Sequence, residues 1–202
     1  MSSSLEIQDG RRLRRADSRL RIYDAAMLLL ETHGFDDLSI DDICREAGVG
    51  RATFFRIYKT KAALLLEFNR RLALRAAARP EVLENTNARD ALFAIGEEIA
   101  GAWSEVSPSA TALAVEFVRT LAASDPHEAH PELLKLVTNV VERGIERGEL
   151  RATFTPEFLG SMALIQICAA AMLWFEDSDQ DLSRLILEAV DHWFNGAGRK
   201  TA

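Results

Sequence analysis

The stretch AGVGRATFFRIYKTKAALL, residues 47–65, sets two consecutive phenylalanines inside a basic run, Arg51, Arg56, Lys59 and Lys61, directly after a Gly-Val-Gly turn. A core segment has no use for the cations. A merely solvated face has no use for Phe54 and Phe55. Gly48 and Val49 separate two short helical patterns. In the first, Ile40, Ile43, Cys44 and Ala47 recur at helical spacing, and Ser39 with Asp42 three residues on makes a capping-box-like start. The second covers roughly residues 51–57. Two short helices joined by a tight glycine-containing turn form the signature of a helix-turn-helix, whose second helix enters the major groove of DNA.

That arrangement gives the mixed stretch a division of labour. Phe54 points into a small three-helix core, while Arg51, Ala52, Thr53, Phe55 and Arg56 face outward. Ala52 and Thr53 are small enough to let the backbone approach base edges. Arg51 or Arg56 suits guanine or phosphate, and Lys59 and Lys61 suit phosphates. The competing reading is a solvated cationic helix in an ordinary helical core, and the pattern alone leaves both open.

Outward from this stretch, the 202-residue chain shows helical patterns and no strand-like alternation. Helix 1 is expected from about Ser18, through Leu20, Ile22, Tyr23, Ala26, Met27 and Leu30, to a Gly34 terminus with Phe35 packing back. Thr60 is positioned to cap a helix that ends before Pro80. Further helices are expected at about 88–106, 109–123, 132–147 and 156–175, and a last one carries Leu182, Leu185, Ile186, Ala189, Val190, Trp193 and Phe194. Residues 1–17, with Arg11, Arg12, Arg14 and Arg15, read as a flexible basic arm. Such an arm either reaches a minor groove or phosphates, or is a solubilising tail.

The formal charge of −7 is unevenly spread: residues 1–80 sum to +4 and residues 81–202 to −11. An acidic body with a basic first third suits a polyanion-binding module, although a basic solvent face has the same composition. No run of about 18 apolar residues occurs, so no membrane span is expected, and no secretory leader is evident. Cys44 and Cys168 are far apart within helical patterns, which fits buried thiols in a reducing cytoplasm. His127 and His130 lie three apart in PHEAHP, a spacing too sparse to indicate a metal centre. No Ser-His-Asp set or glycine-rich phosphate loop marks an enzyme.

Residues 18–65 resemble the N-terminal domain of TetR-family transcriptional regulators, whose pattern of a helix ending in GF, a capped helix, AGV and an aromatic-basic run is read here as HGFDDLSIDDICREAGVGRATFFRIYKTKAALL. Phe55 stands where tyrosine is common, Ile57 where histidine or tyrosine is usual, and Tyr58 where phenylalanine is usual. The resemblance implies an all-α chain: a basic arm (1–17), a helix-turn-helix DNA-binding domain (18–78), and a helical effector-binding and dimerisation domain (79–202). It implies a cytoplasmic, ligand-responsive repressor that binds a palindromic operator as a homodimer, needs no cofactor and is not an enzyme. A helical adaptor or small-molecule binder without DNA binding is the alternative.

Site residues follow from the resemblance position by position. Ser39 caps helix 2 and touches phosphate; Arg51, Ala52, Thr53, Phe55 and Arg56 line the recognition helix; Lys59 and Lys61 grip phosphates. The Tyr58 hydroxyl or Arg56 is placed to replace the contact that Phe55 lacks. The last two helices would pair two subunits through Ala163, Leu164, Ile167, Ala170, Ala171 and Trp174 on one and Leu182, Leu185, Ile186, Ala189, Val190 and Trp193 on the other, burial inside one subunit being the alternative. A pocket for an apolar effector would draw on Phe93, Trp103, Phe117, Met162, Gln166, Met172 and Phe175, which read equally as plain core.

Overall fold

The computed structural model describes residues 2–33, 37–61, 63–83, 86–105, 130–176 and 179–197. Among them the chain is all-helical, without a strand. The helices are α1 (Ser2–His33), α2 (Ile40–Glu46), α3 (Arg51–Ile57), α4 (Leu64–Ala77), α5 (Pro80–Leu83), α6 (Ala88–Ser104), α7 (Pro131–Glu146), α8 (Pro156–Glu176) and α9 (Leu182–Ala197). The helix expected at 109–123, Gly34, Phe35, Phe117 and His127 lie outside the described residues.

Two compact units result, and the chain passes from the first to the second between Glu67 and Phe68, inside α4. The sequence boundary at 78/79 follows the end of a helical pattern, whereas packing divides the helix itself. In the first unit, α1 presents Ile22, Ala26 and Leu30, four residues apart and each fully buried, towards Ile43 of α2 and Phe54 of α3. Helix α1 begins at Ser2 and not near Ser18. The segment before Ser18 lacks apolar periodicity, which marks a face to bury, but it contains no proline and a single glycine, Gly10, so nothing in it stops a helix. The Asp17–Arg21 ion pair, 3.1 Å, staples the next turn.

In the second unit α8 packs between α7 and α9, and α9 lies on α6. Gly160 lets α8 approach closely: a Cβ there would sit 2.6 Å from Thr138 Oγ1 and 3.0 Å from Thr138 Cα on α7. The N-terminus of α6 is capped twice. The Asn87 side chain accepts from the Asp90 N–H at 2.9 Å, and Glu149 accepts from the Ala88 N–H at 2.6 Å. Over Pro156–Phe175, α8 has a mean hydropathy of 1.9, long and apolar enough by composition to cross a membrane. Gly160, Ser161 and Gln166 interrupt its apolar run, and its contacts with α7 and α9 are those of a core helix, a composition that passes the same length and hydropathy test.

Candidate nucleic-acid interface

Helix α2 starts as its sequence requires. Ser39 adopts an extended backbone, its Oγ accepts from the Asp42 N–H at 3.1 Å, and its hydroxyl donates to the Asp42 carboxylate. The helix stops because Gly48 takes the left-handed conformation, φ 61°, where a side chain is strained. The Gly48 N–H donates to the Arg45 carbonyl (3.2 Å) and the Val49 N–H to the Cys44 carbonyl (2.9 Å). Arg21 of α1 donates to the Ala47 carbonyl at 3.3 Å, fixing the turn against the first helix.

On α3, Phe54 is fully buried, with its ring edge-on to Phe55 at 5.5 Å and tilted against Tyr58 at 5.8 Å. Arg51, Ala52, Phe55 and Arg56 are exposed and Thr53 is half-buried. This is the expected division between an anchor and an outward face. Phe55, 43% exposed, is a large apolar ring in water whose only described aromatic neighbour is Phe54. The Arg51 guanidinium lies 5.7 Å from the Phe55 ring centre and pairs with Asp41 of α2.

Two expected phosphate contacts are placed differently. Tyr58 is buried, and its hydroxyl donates inward to the Arg19 carbonyl of α1 at 3.3 Å, so it does not replace the missing tyrosine of the outward face. Lying four residues after Phe54, it shares that residue's face, a spacing that pointed to the core. Lys61 lies just before α4, and its Nζ donates to the Leu38 carbonyl at 3.0 Å. Lys59 is exposed, as is Ser39. The basic side chains of Arg11, Arg12 and Arg14 lie outside the described residues, and Arg15 is exposed. Asp41 was not anticipated, because its partner Arg51 is ten residues away across a turn and no local spacing reveals the pair.

In the second unit, Trp103 is buried against Phe68 (4.6 Å) and, edge-on, Phe175 (5.1 Å), so two of the expected pocket residues do meet. Phe93 lies elsewhere, under the Arg89 guanidinium at 4.7 Å, in an open cleft of about 580 Å³ that Asp181, Arg184, Glu188 and Asp191 also line. Met162 is exposed; Gln166 and Met172 are half-buried.

The residues expected between subunits are largely spent inside the chain. Ala163, Leu164, Ile167, Ala170 and Ala171 are buried, as are Leu182, Ile186, Val190 and Trp193, while Trp174, Leu185 and Ala189 are half-buried. The face of α8 left to solvent is instead Phe158, Met162, Ile165, Ala169 and Leu173, spaced four, three, four and four. Burial pushes the Cys168 thiol up to about 12 and, with help from Asp41, raises Cys44, so both are inert thiols at neutral pH. His130, at the start of α7, is pushed down to about 4 by burial.

A short helix held by its aromatic anchor to two others, with a basic outward face, defines a helix-turn-helix domain joined to an all-helical body. Residues 22–68 match the model of the tetR family of bacterial regulatory proteins, so this domain is similar to that family's N-terminal domain. It is 39% identical over 82 residues to the candidate mycofactocin biosynthesis transcriptional regulator MftR of Mycobacterium tuberculosis, covering 40% of this chain and 41% of that protein. It is 30% identical over 125 residues to the uncharacterized HTH-type transcriptional regulator Rv1556 of the same species, covering 60% of each. The matches thus span about two fifths to three fifths of these relatives. The fold extends further. The Thermus thermophilus FadR repressor, solved with lauroyl-CoA, superposes with a TM-score of 0.72 at 24% identity, over 91% of this chain and 97% of that one. Bacillus subtilis FadR, solved with stearoyl-CoA, gives 0.63 at 18%, over 88% and 98%.

Proposed function

We propose that this chain is a cytoplasmic, sequence-specific DNA-binding regulator, a ligand-responsive repressor that docks α3 in the major groove of a palindromic operator. The observation that carries this reading is the two-sided character of α3: Phe54 fully buried behind, Arg51, Ala52, Phe55 and Arg56 exposed in front. Ser39 and Lys59 supply backbone contacts around it, and the half-buried Thr53 offers its methyl to thymine. A recognition helix reading one half-site gains affinity from a second copy, and the exposed apolar stripe of α8 is the face we assign to that pairing. The effector we assign is an acyl-CoA thioester. That class is supported by the ligands of the two FadR complexes and by the aromatic cluster of Phe68, Trp103 and Phe175. Release of DNA requires unequal affinity of that ligand for the bound and free arrangements.

The test is selection of duplexes from a random-sequence library by the full chain, followed by titration of the enriched duplex with and without lauroyl-CoA. Enrichment of an inverted repeat, weakened by lauroyl-CoA but not by free CoA, is the expected result. A chain that enriches no sequence does not have this function.

A further inference from the structure

Arg51 is the cation of α3 that the structure ties to a carboxylate. Its guanidinium donates through one nitrogen to Asp41 Oδ1 on the first turn of α2 and lies over the Phe55 ring. The neighbouring carboxylate, Asp42, is already taken by Ser39 and Arg45. Both members of the Asp41–Arg51 pair remain more than half exposed, on the outward side of the two-helix unit. A carboxylate there is costly for any surface that meets polyanionic DNA, since it cancels a cation and repels phosphate. Its presence beside the arginine that opens α3 therefore calls for a function.

We infer that Asp41 is a positioning residue that aims Arg51 at a base edge and so determines sequence specificity. This rests on the DNA-binding reading above. An arginine side chain left alone sweeps a wide arc and settles on whichever phosphate it meets. Guanidinium has five donors in a rigid plane. With one donor fixed on Asp41 and the plane held over Phe55, the remaining donors keep one orientation. A guanine presenting O6 and N7 in register satisfies them. A phosphate approached at random must first displace an acid. Phe55, which offers no hydroxyl to the DNA backbone, serves here as the plate against which Arg51 lies.

The experiment compares wild type, Asp41→Asn, Arg51→Ala and the double variant, all as full chains. Each is titrated on the duplex enriched by wild type and on a scrambled duplex of equal composition, over a range of salt. Asp41→Asn is expected to raise affinity for the scrambled duplex roughly threefold to tenfold and for the enriched duplex by less than about twofold. The salt slope on the scrambled duplex should steepen by about one unit, because Arg51 becomes a phosphate ligand. In the Arg51→Ala background the same substitution should leave the ratio of the two affinities unchanged. The inference is overturned if Asp41→Asn strengthens both duplexes equally, which is plain charge removal, or if the ratio falls as far without Arg51. Wild type that enriches no duplex overturns the DNA-binding reading itself and this inference with it. Thermal melts of the four proteins exclude a folding defect as the source of any loss.

Discussion

The Tyr58 hydroxyl donates to the main-chain carbonyl of Arg19, 3.3 Å away, and so ties the end of α3 to α1. Tyr58→Phe should cost about 1 kcal/mol of stability, the net worth of one such bond, in a urea titration. It should leave the salt dependence of DNA binding unchanged. Lys59→Ala should do the reverse, lowering the salt slope by about one unit without altering the melt. A Tyr58→Phe protein with a reduced salt slope would show that the hydroxyl reaches phosphate after all.

The adjacent phenylalanines should separate cleanly. Phe54→Ala empties the centre of the first unit and is expected to cost about 3–5 kcal/mol. Phe55→Ala should cost less than about 1 kcal/mol, because the ring is already partly in water, and should act on DNA affinity instead. Equal destabilisation by the two would contradict the outward placement of Phe55.

At Gly48 the backbone φ is 61°, so Gly48→Ala should destabilise by about 1 kcal/mol or more through left-handed strain alone, there being room for the methyl. Equilibrium unfolding measures this directly. A neutral substitution would mean that the turn relaxes to another conformation.

The stripe on α8 predicts the oligomeric state. Ile165 is 55% exposed at its centre, and Ile165→Glu should leave a folded monomer in sedimentation experiments where wild type dimerises. The equivalent charge at buried Ile167 should instead unfold the second unit. Dimerisation that survives Ile165→Glu would place the subunit contact on another face.

His130 gives a pH signature. Its folded value of about 4 lies below the ordinary 6.5, so the unfolded chain takes up this proton first as pH falls. Its contribution is nil above the unfolded value, destabilising as pH drops through 6.5, and constant below about 4, reaching up to about 3 kcal/mol. His130→Gln should flatten that part of the stability profile between pH 6.5 and 4. Parallel profiles for the two proteins would exclude His130 as its source.

The helix-turn-helix was legible because each of its parts has a local chemical cause: a serine cap, a glycine where φ must be positive, and an aromatic with a definite helical phase. Tyr58 was legible too, by its spacing of four from Phe54, had that phase outweighed the family pattern. The extent of α1 was not, since residues 2–17 show no apolar face and a helix needs none to persist. The inner and outer sides of α8 were not legible for the opposite reason. Its residues are apolar nearly all round, so composition distinguishes no face, and only contact with α7 and α9 does. Asp41 escaped because an ion pair across a turn leaves no periodic trace.

The contact at Gly160 has a consequence for assembly. With Thr138 seated where a side chain would otherwise be, any residue larger than glycine here would push α8 away from the α7 backbone. The bearing of Phe158, Met162, Ile165, Ala169 and Leu173 thereby depends on a single absent methyl group. Gly160 is itself buried, yet a side chain there would redirect the apolar stripe that the second unit presents.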